Sequence, residues 1–218
     1  WINRIKTQFT MVDYLRIDHF RGFESYWAVP AGEETAINGT WKKGPGVELF
    51  NAIKKALGDD MKIFAEDLGI ITPEVEALRD ECGFPGMKVL QFGFEAWPTD
   101  AFYPHNFKTT NCICYTGTHD NNTTLGWYAD VKEEARDRVR RYLNCDGGNV
   151  SWDFIRLAMS SIAQYAIFPM QDVLRLGAEA RMNVPGVLGA NWAWRFEEKD
   201  VQEWHAAELK KMTNLFNR

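Results

Sequence analysis

Three apolar segments of the sequence each end in acidic residues. Asp18 follows one segment, Glu66 and Asp67 follow a second, and Asp120 lies just beyond a third. In a parallel β/α barrel, catalytic side chains lie at the C-terminal ends of the strands. Carboxylates that meet there suit acid/base and nucleophilic chemistry on a sugar, or the binding of metal ions.

The segment around Asp18 reads Arg-Ile-Asp-His, with Arg16 two residues before the carboxylate. Residues two apart on a strand point to the same face, so we expect Arg16 and Asp18 to lie side by side. A neighbouring guanidinium stabilises the charged form of a carboxylate, as a nucleophile requires. A buried ion pair at a strand end explains the same pattern, and this segment alone leaves both interpretations open.

Glu66 and Asp67 are adjacent, so on a strand their side chains point in opposite directions and only one faces a pocket. A glutamate in a partly apolar site can act as a general acid. The alternative is a salt bridge for Glu66 and a turn cap for Asp67.

The segment 115–122 reads Tyr-Thr-Gly-Thr-His-Asp-Asn-Asn, which is more polar than a turn needs. The alternative without a function is a hydrogen-bonded loop.

A retaining glycosidase uses two carboxyl groups about 5–5.5 Å apart, and neighbouring strands lie about 4.8 Å apart. Asp18 and Glu66 end consecutive predicted strands and can meet this spacing. Asp120, two strands further on, can bind sugar hydroxyls.

A two-metal hydrolase is the competing interpretation of the same acidic segments. The sequence contains neither an HxH pair nor an HExxH motif, and no second histidine accompanies either histidine-containing segment. Sugar chemistry is therefore favoured over metal binding. In the metal-binding alternative, the candidate ligands are Asp18, His19, Glu66, Asp67, His119 and Asp120.

Five short apolar runs predict the strands that carry these residues, at 14–18, 62–67, 87–94, 111–116 and 165–169. Helical patterns lie between them. These patterns predict helices over 47–57, from Thr72 to Gly83, over 131–143 behind an Asp130/Glu133 capping box, and over 151–164. Asp200 and Glu203 repeat the capping pattern before a final helix that is predicted to bury Trp204, Met212 and Leu215. The longer spacings predict inserted loops at 24–45 and 117–129.

This alternation predicts an α/β fold with parallel strands. Five strands fit part of a (β/α)8 TIM-type barrel, or an open five-stranded sheet that binds its ligand where strand order reverses.

The 218 residues are 45% apolar with a net charge of −5, which excludes disorder and a strongly basic nucleic-acid surface. No run approaches a membrane span, and the four cysteines show neither disulfide nor zinc spacing. Cys112 and Cys114 are predicted to be buried thiols, which fits a reducing compartment.

Longer motifs carry a more specific signal than the acids alone. The chain resembles 4-α-glucanotransferases of the amylomaltase or disproportionating-enzyme type, in the α-amylase clan. The resembling stretches are Arg-Ile-Asp-His-Phe-Arg-Gly-Phe from Arg16, Ile-Phe-Ala-Glu-Asp-Leu-Gly from Ile63, Gly-Phe-Pro-Gly-Met-Lys-Val-Leu-Gln-Phe from Gly83, Tyr-Thr-Gly-Thr-His-Asp-Asn from Tyr115, Pro-Met-Gln-Asp-Val-Leu from Pro169, and Arg-Met-Asn-Val-Pro-Gly from Arg181 through Asn-Trp-Ala-Trp-Arg from Asn191.

The resemblance implies a retaining transferase that moves α-1,4-glucan segments between maltooligosaccharides without a cofactor or metal. It implies a nucleophile at Asp18, an acid/base at Glu66 and a transition-state stabiliser at Asp120. Residues implied to contact the sugar or line the cleft are Arg16, His19, His119 and Asn191. An α-glucan hydrolase of the same clan is the alternative.

Members of the family are about twice this long or more, and the motifs here begin at what resembles the fourth barrel strand. The resemblance therefore implies the C-terminal part of the barrel, about strands 4 to 8. We expect residues 1–218 to form a single domain that lacks the first strands. A catalytically incomplete α-glucan-binding fragment is then a further alternative, and exposed strand edges would favour its self-association. The expected location is the cytoplasm, or the plastid stroma in a plant, with no nucleic-acid or membrane partner.

Overall fold

The structure is a computed structural model that describes residues 1–95 and 100–218. The chain divides into two compact units, Trp1–Met87 and Lys88–Arg218. No helix among the described residues has both the length and the apolarity that crossing a membrane requires.

The first unit contains three helices and four strands, with a short 3-10 helix at Phe20–Phe23. In chain order they are α1 (Ile2–Gln8), β1 (Leu15–Ile17), β2 (Ser25–Ala28), β3 (Thr40–Lys43), α2 (Gly46–Leu57), β4 (Ile63–Ala65) and α3 (Pro73–Cys82). Strand β5 (Gly86–Val89) begins at the end of this unit.

The described part of the second unit continues with six helices and two strands. In chain order they are α4 (Leu90–Glu95), β6 (Cys112–Tyr115), α5 (Thr124–Asp130), α6 (Glu133–Leu143), α7 (Val150–Ser160), β7 (Tyr165–Ile167), α8 (Met170–Val173) and α9 (Glu203–Phe216). Short 3-10 helices lie at Pro104–Asn106, Ala178–Ala180 and Glu198–Asp200.

Strands β1 and β4 form a parallel pair in the first unit, and Ile17 lies opposite Ala65. Every residue of β4 is buried, as expected for a short parallel strand covered on both faces. Phe20, Phe50 and Ile53 pack into the same core. The register therefore places the residues that follow Ile17 and Ala65 at one end of the pair.

A β-hairpin occupies the segment that the sequence predicted as an inserted loop at 24–45. Strands β2 and β3 pair antiparallel, with Trp27 opposite Trp41. The two indoles meet edge to face at 5.5 Å, an arrangement that stabilises cross-strand pairs. The prediction was wrong here because the hairpin side chains are largely exposed, which leaves no alternation of buried residues to read.

The second unit is organised around a three-stranded sheet with the order β5-β6-β7. Strands β6 and β7 are parallel, with Ile113 opposite Tyr165. Cys112 and Cys114 are buried in β6, which confirms their predicted environment. All five predicted strands exist, but the run 87–94 is wrong beyond Val89, because Leu90–Glu95 forms a helix.

The predicted helix over 131–143 corresponds to α6, which begins at Glu133 because Val131 and Lys132 are extended. The inserted loop predicted at 117–129 is wrong from Thr124 onward, where α5 begins. The capping box of Asp130 and Glu133 is wrong, because Lys132 is the N-cap and makes no side-chain cap. The Asp130 carboxylate instead accepts a hydrogen bond from the Asn122 side chain at 3.1 Å.

Helix α9 is present, although two of its predicted buried residues are not buried. Met212 is 4% exposed as predicted, whereas Trp204 and Leu215 are 43% and 62% exposed. Trp204 lies at the helix start, where its ring packs 3.9 Å from that of His205 and its indole N–H donates to Gln202. The predicted capping pair of Asp200 and Glu203 is wrong, since Gln202 and His205 form the box.

Candidate active site

Asp18 lies immediately beyond β1 and pairs with the arginine of that strand. The guanidinium of Arg16 donates to Oδ1 of Asp18 at 3.2 Å. The Asp18 side chain is 76% exposed and that of Arg16 is 27% exposed. The ion pair therefore lies at the surface of the first unit, and the buried-pair interpretation of the sequence is wrong.

His19 adopts a left-handed backbone conformation, with φ 49° and ψ 48°. This conformation turns the chain from the end of β1 into the 3-10 helix that begins at Phe20. A Cβ on Gly22 would lie 3.1 Å from the His19 ring, so the imidazole lies close against a residue without a side chain. The turn therefore places the ring beside Gly22.

Glu66 is hydrogen-bonded to the segment that carries Asp18. Its backbone N–H donates to the carbonyl of Ile17 at 2.9 Å, and its carbonyl accepts from the N–H of Phe20 at 3.1 Å. Its Oε2 accepts the backbone N–H of His19 at 2.8 Å, and its Oε1 accepts that of Leu68, also at 2.8 Å. Each carboxylate oxygen retains a further lone pair for another partner.

Asp67 is buried and points away from Glu66, as alternation on a strand predicts. Its Oδ2 lies 2.5 Å from the guanidinium of Arg79, and its Oδ1 accepts the N–H of Met87 at 2.7 Å. A Cβ at Gly86 would lie 2.5 Å from Oδ2, so this position needs a glycine. The salt bridge expected of Glu66 as an alternative to catalysis is formed instead by Asp67.

His119 and Asp120 lie in the second unit, in the connection between β6 and α5, which begins with Thr116 and continues through residues 117–123. We name residues 117–123 the β6–α5 loop. The side chain of Asn183 donates to Oδ1 of Asp120 at 2.5 Å, and its backbone N–H donates to the carbonyl of His119 at 3.1 Å. Arg181 donates to the carbonyl of Asp120 at 2.6 Å. These contacts fix both the backbone and the carboxylate of Asp120.

Further hydrogen bonds hold the loop from within. Oδ1 of Asn121 accepts from the backbone N–H and the hydroxyl of Thr118, both at 2.9 Å. The buried amide of Gln91 donates to the carbonyl of Asn122 at 3.0 Å. A cavity of about 610 Å³ opens beside this loop within the second unit, and Asp120, Arg181, Trp127 and Arg138 contribute to its walls.

Trp192 is an aromatic neighbour of His119 that was not among the predicted site residues. The two rings lie 5.0 Å apart with 38° between their planes, and Trp192 is 54% exposed. Its φ of 63° is unusual for a bulky residue. Half-exposed indoles can stack on the apolar face of a sugar ring. The Asn-Trp-Ala-Trp motif was the available signal.

Asn191 holds a neighbouring loop together through its side chain. Its oxygen accepts the backbone N–H of Val184 at 3.0 Å, and its amide donates to the carbonyls of Val184 and Val187 at 3.2 and 2.8 Å. Any contribution of Asn191 to a substrate cleft would therefore include shaping this loop.

Two groups of predicted residues emerge, one in each unit. In the first, Arg16, Asp18, His19 and Glu66 lie together; in the second, His119 and Asp120 lie together with Arg181, Asn183 and Trp192. Within residues 1–95 and 100–218, no three histidine, cysteine, aspartate or glutamate side chains form a group that could hold one metal ion. The arrangement suits carboxylate chemistry at the strand ends.

Comparison with known proteins decides the family. A family model described as 4-alpha-glucanotransferase matches residues 1–201. The chain belongs to the 4-alpha-glucanotransferase family. The resemblance read from the sequence motifs is thereby confirmed.

Relatives in this family match over the whole chain. It is 52% identical over 219 residues to a 4-alpha-glucanotransferase of Synechocystis sp., of which it covers 43%. It is 45% identical over 222 residues to a chloroplastic/amyloplastic 4-alpha-glucanotransferase of Arabidopsis thaliana, of which it covers 38%. A solved structure of the amylomaltase from Streptococcus agalactiae in complex with acarbose matches all of this chain and 44% of that one, with a TM-score of 0.94 at 40% identity.

The chain thus spans less than half the length of these 4-alpha-glucanotransferases. The structural match confirms a mixed α/β fold like that of an amylomaltase. Which barrel strands the chain supplies, and what each site residue does, remain predictions.

Proposed function

We propose that the protein containing this chain is a 4-α-glucanotransferase that moves α-1,4-glucan segments between maltooligosaccharides with retention of configuration. Asp18 is its nucleophile, Glu66 its acid/base, and Asp120 the carboxylate that stabilises the transition state. The reaction uses no cofactor or metal.

The observation that carries the proposal is the connection between Asp18 and Glu66. Their strands pair with Ile17 opposite Ala65, and the hydrogen bonds of Glu66 to Ile17, His19 and Phe20 hold the two segments together. This pairing supports the separation of about 5–5.5 Å that a retaining pair requires. Asp67 is unavailable for this role because Arg79 and Met87 occupy its carboxylate.

The reaction proceeds by two displacements at the anomeric carbon. The Asp18 carboxylate attacks this carbon, the glycosidic bond breaks, and Glu66 gives its proton to the departing glucan oxygen. The 4-hydroxyl of an acceptor glucan then loses its proton to Glu66 and attacks the same carbon, which releases Asp18. Two inversions give net retention.

The remaining site residues bind and orient the sugar. Arg16 and His19, next to Asp18, and His119, next to Asp120, contact the ring in the cleaved-side subsite. Asn191 lines the cleft through the loop that it holds. A glucan acceptor that occupies the leaving-group side excludes water and favours transfer over hydrolysis.

Trapping the covalent intermediate tests the nucleophile. With α-maltosyl fluoride, the Glu66→Gln enzyme should form a maltosyl ester at Asp18, because fluoride leaves without acid assistance while the second step lacks its base. Mass spectrometry of the Asp18 peptide should show one added maltosyl group, which Asp18→Asn abolishes. Modification of another residue would overturn the assignment.

Product analysis separates transfer from hydrolysis. The protein expressed from its complete reading frame should convert maltotriose into longer maltooligosaccharides, whereas a hydrolase of the same clan yields only shorter sugars. The isolated 218-residue chain should show little turnover, and acarbose binding without turnover would favour the glucan-binding alternative for that chain.

The finer predictions of fold and context belong to the same proposal. We propose that residues 1–218 are one catalytic domain and supply about strands 4 to 8 of a (β/α)8 barrel. The partners are α-1,4-glucans rather than nucleic acids or membranes, and the isolated chain self-associates through its strand edges. The protein acts in the cytoplasm, or in the plastid stroma if its source is a plant.

A further inference from the structure

Asp172, at the start of α8, is a fully buried carboxylate in the second unit. Its Oδ1 accepts the backbone N–H of Thr124 at 2.7 Å. Its Oδ2 accepts the hydroxyl of Thr116 at 2.6 Å and that of Thr124 at 2.7 Å. Both threonines are themselves fully buried.

Within the described residues, all of these partners are uncharged threonine groups. Burying a carboxylate without a cation is costly, and hydrogen bonds offset only part of that cost. Burial raises the pKa of Asp172 above its ordinary value, while the hydrogen bonds from Thr116 and Thr124 oppose this shift. A leucine or an asparagine would fill the same space at lower cost, so the carboxylate calls for a reason beyond packing.

The two partners lie at opposite ends of the β6–α5 loop. Thr116 follows the last residue of β6, and Thr124 is the first residue of α5. The residue before the seven-residue loop and the residue after it are therefore both hydrogen-bonded to the carboxylate of Asp172. The same loop carries His119 and Asp120, and Asp120 accepts hydrogen bonds from Arg181 and Asn183.

We propose that Asp172 is a positioning residue, which fixes the base of the β6–α5 loop so that Asp120 is held at the reacting sugar. This inference rests on the proposed function, because it assigns Asp172 a role through Asp120. Asp172 is not a catalytic residue, since it is buried and its contacts are with the loop ends. Misplacement of a catalytic group by about 1 Å can lower a rate by about 100-fold.

The carboxylate suits this task because three donors converge on its two oxygens. In Asp172→Asn one oxygen is replaced by an amide nitrogen that only donates, so the three donations cannot all be kept. This nitrogen faces either the backbone N–H of Thr124 or the two hydroxyls. The side chain keeps its volume, which limits the effect on packing. Thr116→Val removes a single donor and serves as a milder second variant.

The test uses the full-length enzyme and α-maltosyl fluoride, whose reactive leaving group keeps low rates measurable. We expect Asp172→Asn to lower kcat by about 10- to 100-fold with KM changed less than about 3-fold, because positioning acts on the transition state. Thr116→Val should lower kcat by about 3- to 10-fold. Asp153→Asn, the same exchange at a partly buried aspartate of α7 with a raised pKa, is the matched control and should leave kcat unchanged.

A double-mutant cycle separates positioning from general stability. In an Asp120→Asn background, Asp172→Asn should cause little further loss of kcat, because the group that it positions is absent. The inference would be overturned if Asp172→Asn lowered kcat by the same factor in the Asp120→Asn background as in the wild type. It would also be overturned if kcat were unchanged in both Asp172→Asn and Thr116→Val. If Asp120→Asn alone leaves kcat unchanged, Asp120 is not the stabiliser, and the positioning role of Asp172 fails as well. If Asp120→Asn lowers kcat but Asp172→Asn does not, only the positioning role is refuted.

Discussion

The backbone N–H of His19 donates to Oε2 of Glu66 at 2.8 Å. The residue after the proposed nucleophile is thus bonded to the proposed acid/base. His19 itself has a left-handed backbone conformation, with φ 49°. The turn after β1 is therefore bonded directly to the Glu66 carboxylate.

His19 offers a matched pair of substitutions that separates its ring from its backbone. His19→Ala and His19→Gly both remove the imidazole and should raise KM for maltotriose to the same extent. The alanine variant should be less stable than the glycine variant by about 1 kcal/mol, because a Cβ is unfavourable in the left-handed region. Chemical denaturation of both variants measures the difference, and equal stabilities would contradict this account.

Asp67 and Arg79 should be important for stability rather than for chemistry. Asp67→Asn leaves a guanidinium with 12% exposure beside a neutral amide, and breaking a buried pair costs about 3–5 kcal/mol. Arg79 also donates to Asp80 at 2.7 Å, so its charge would keep one carboxylate partner. We therefore expect the free energy of unfolding to fall by about 3 kcal/mol, the lower end of this range.

The control for this pair is Glu208→Gln, which breaks an exposed ion pair with Lys211 and should change stability by less than about 0.5 kcal/mol. Urea unfolding and initial rates should be measured on the same samples. A kcat loss in Asp67→Asn that exceeds its unfolded fraction would mean that Asp67 takes part in the reaction.

Asn183 should affect turnover through its hydrogen bond to Asp120. Asn183→Ala removes this donor and should lower kcat by about 10-fold or more, since hydrogen bonds to charged groups contribute about 1.5–3 kcal/mol. Asn183→Asp should be worse, because it places a second carboxylate against the first. Asn38→Ala, which removes a similar bond to Glu33 in the first unit, should leave kcat unchanged. If Asn183→Asp were as active as the wild type, Asn183 would not act through Asp120.

Asp172 should make stability depend on pH in a specific direction. Burial raises the pKa of Asp172 above its ordinary value of about 3.8, so between the unfolded-state and folded-state pKa values the folded protein binds more protons than the unfolded one. The free energy of unfolding then falls as pH rises through this window, and the loss is complete above the folded-state pKa. Asp172→Asn has no titrating carboxyl group at this position, so its free energy of unfolding should lack this pH dependence. Unfolding curves for both proteins from pH 3.5 upward test it, and a constant difference between them would contradict the prediction.

Strand positions were predictable because each strand is a short apolar run between turn residues. The run that ends at Asp18 and the run that ends at Glu66 correspond to β1 and β4, and their pairing follows from the alternation of strands and helices. The opposite directions of Glu66 and Asp67 were predictable from strand geometry alone. These features depend on local pattern, which a single sequence contains.

Features that depend on distant contacts were not predictable. The partner of Asp67 is twelve residues away and that of Asp172 lies 56 residues before it, and no periodicity links them. Asn183 reaches Asp120 across 63 residues. Asp172, Arg181 and Asn183 lay within motifs that carried the family resemblance, but nothing in their spacing indicated which loop they would contact.

The contacts of Asp172 also bear on protein engineering. A designer who transplants the His119–Asp120 segment into another scaffold cannot move it as one contiguous insert, because its two ends converge on a side chain that enters the sequence 48 residues after Thr124. The transferable unit is a strand end, a helix start and a remote aspartate, and a host that lacks the third would receive the sequence of the loop without its shape.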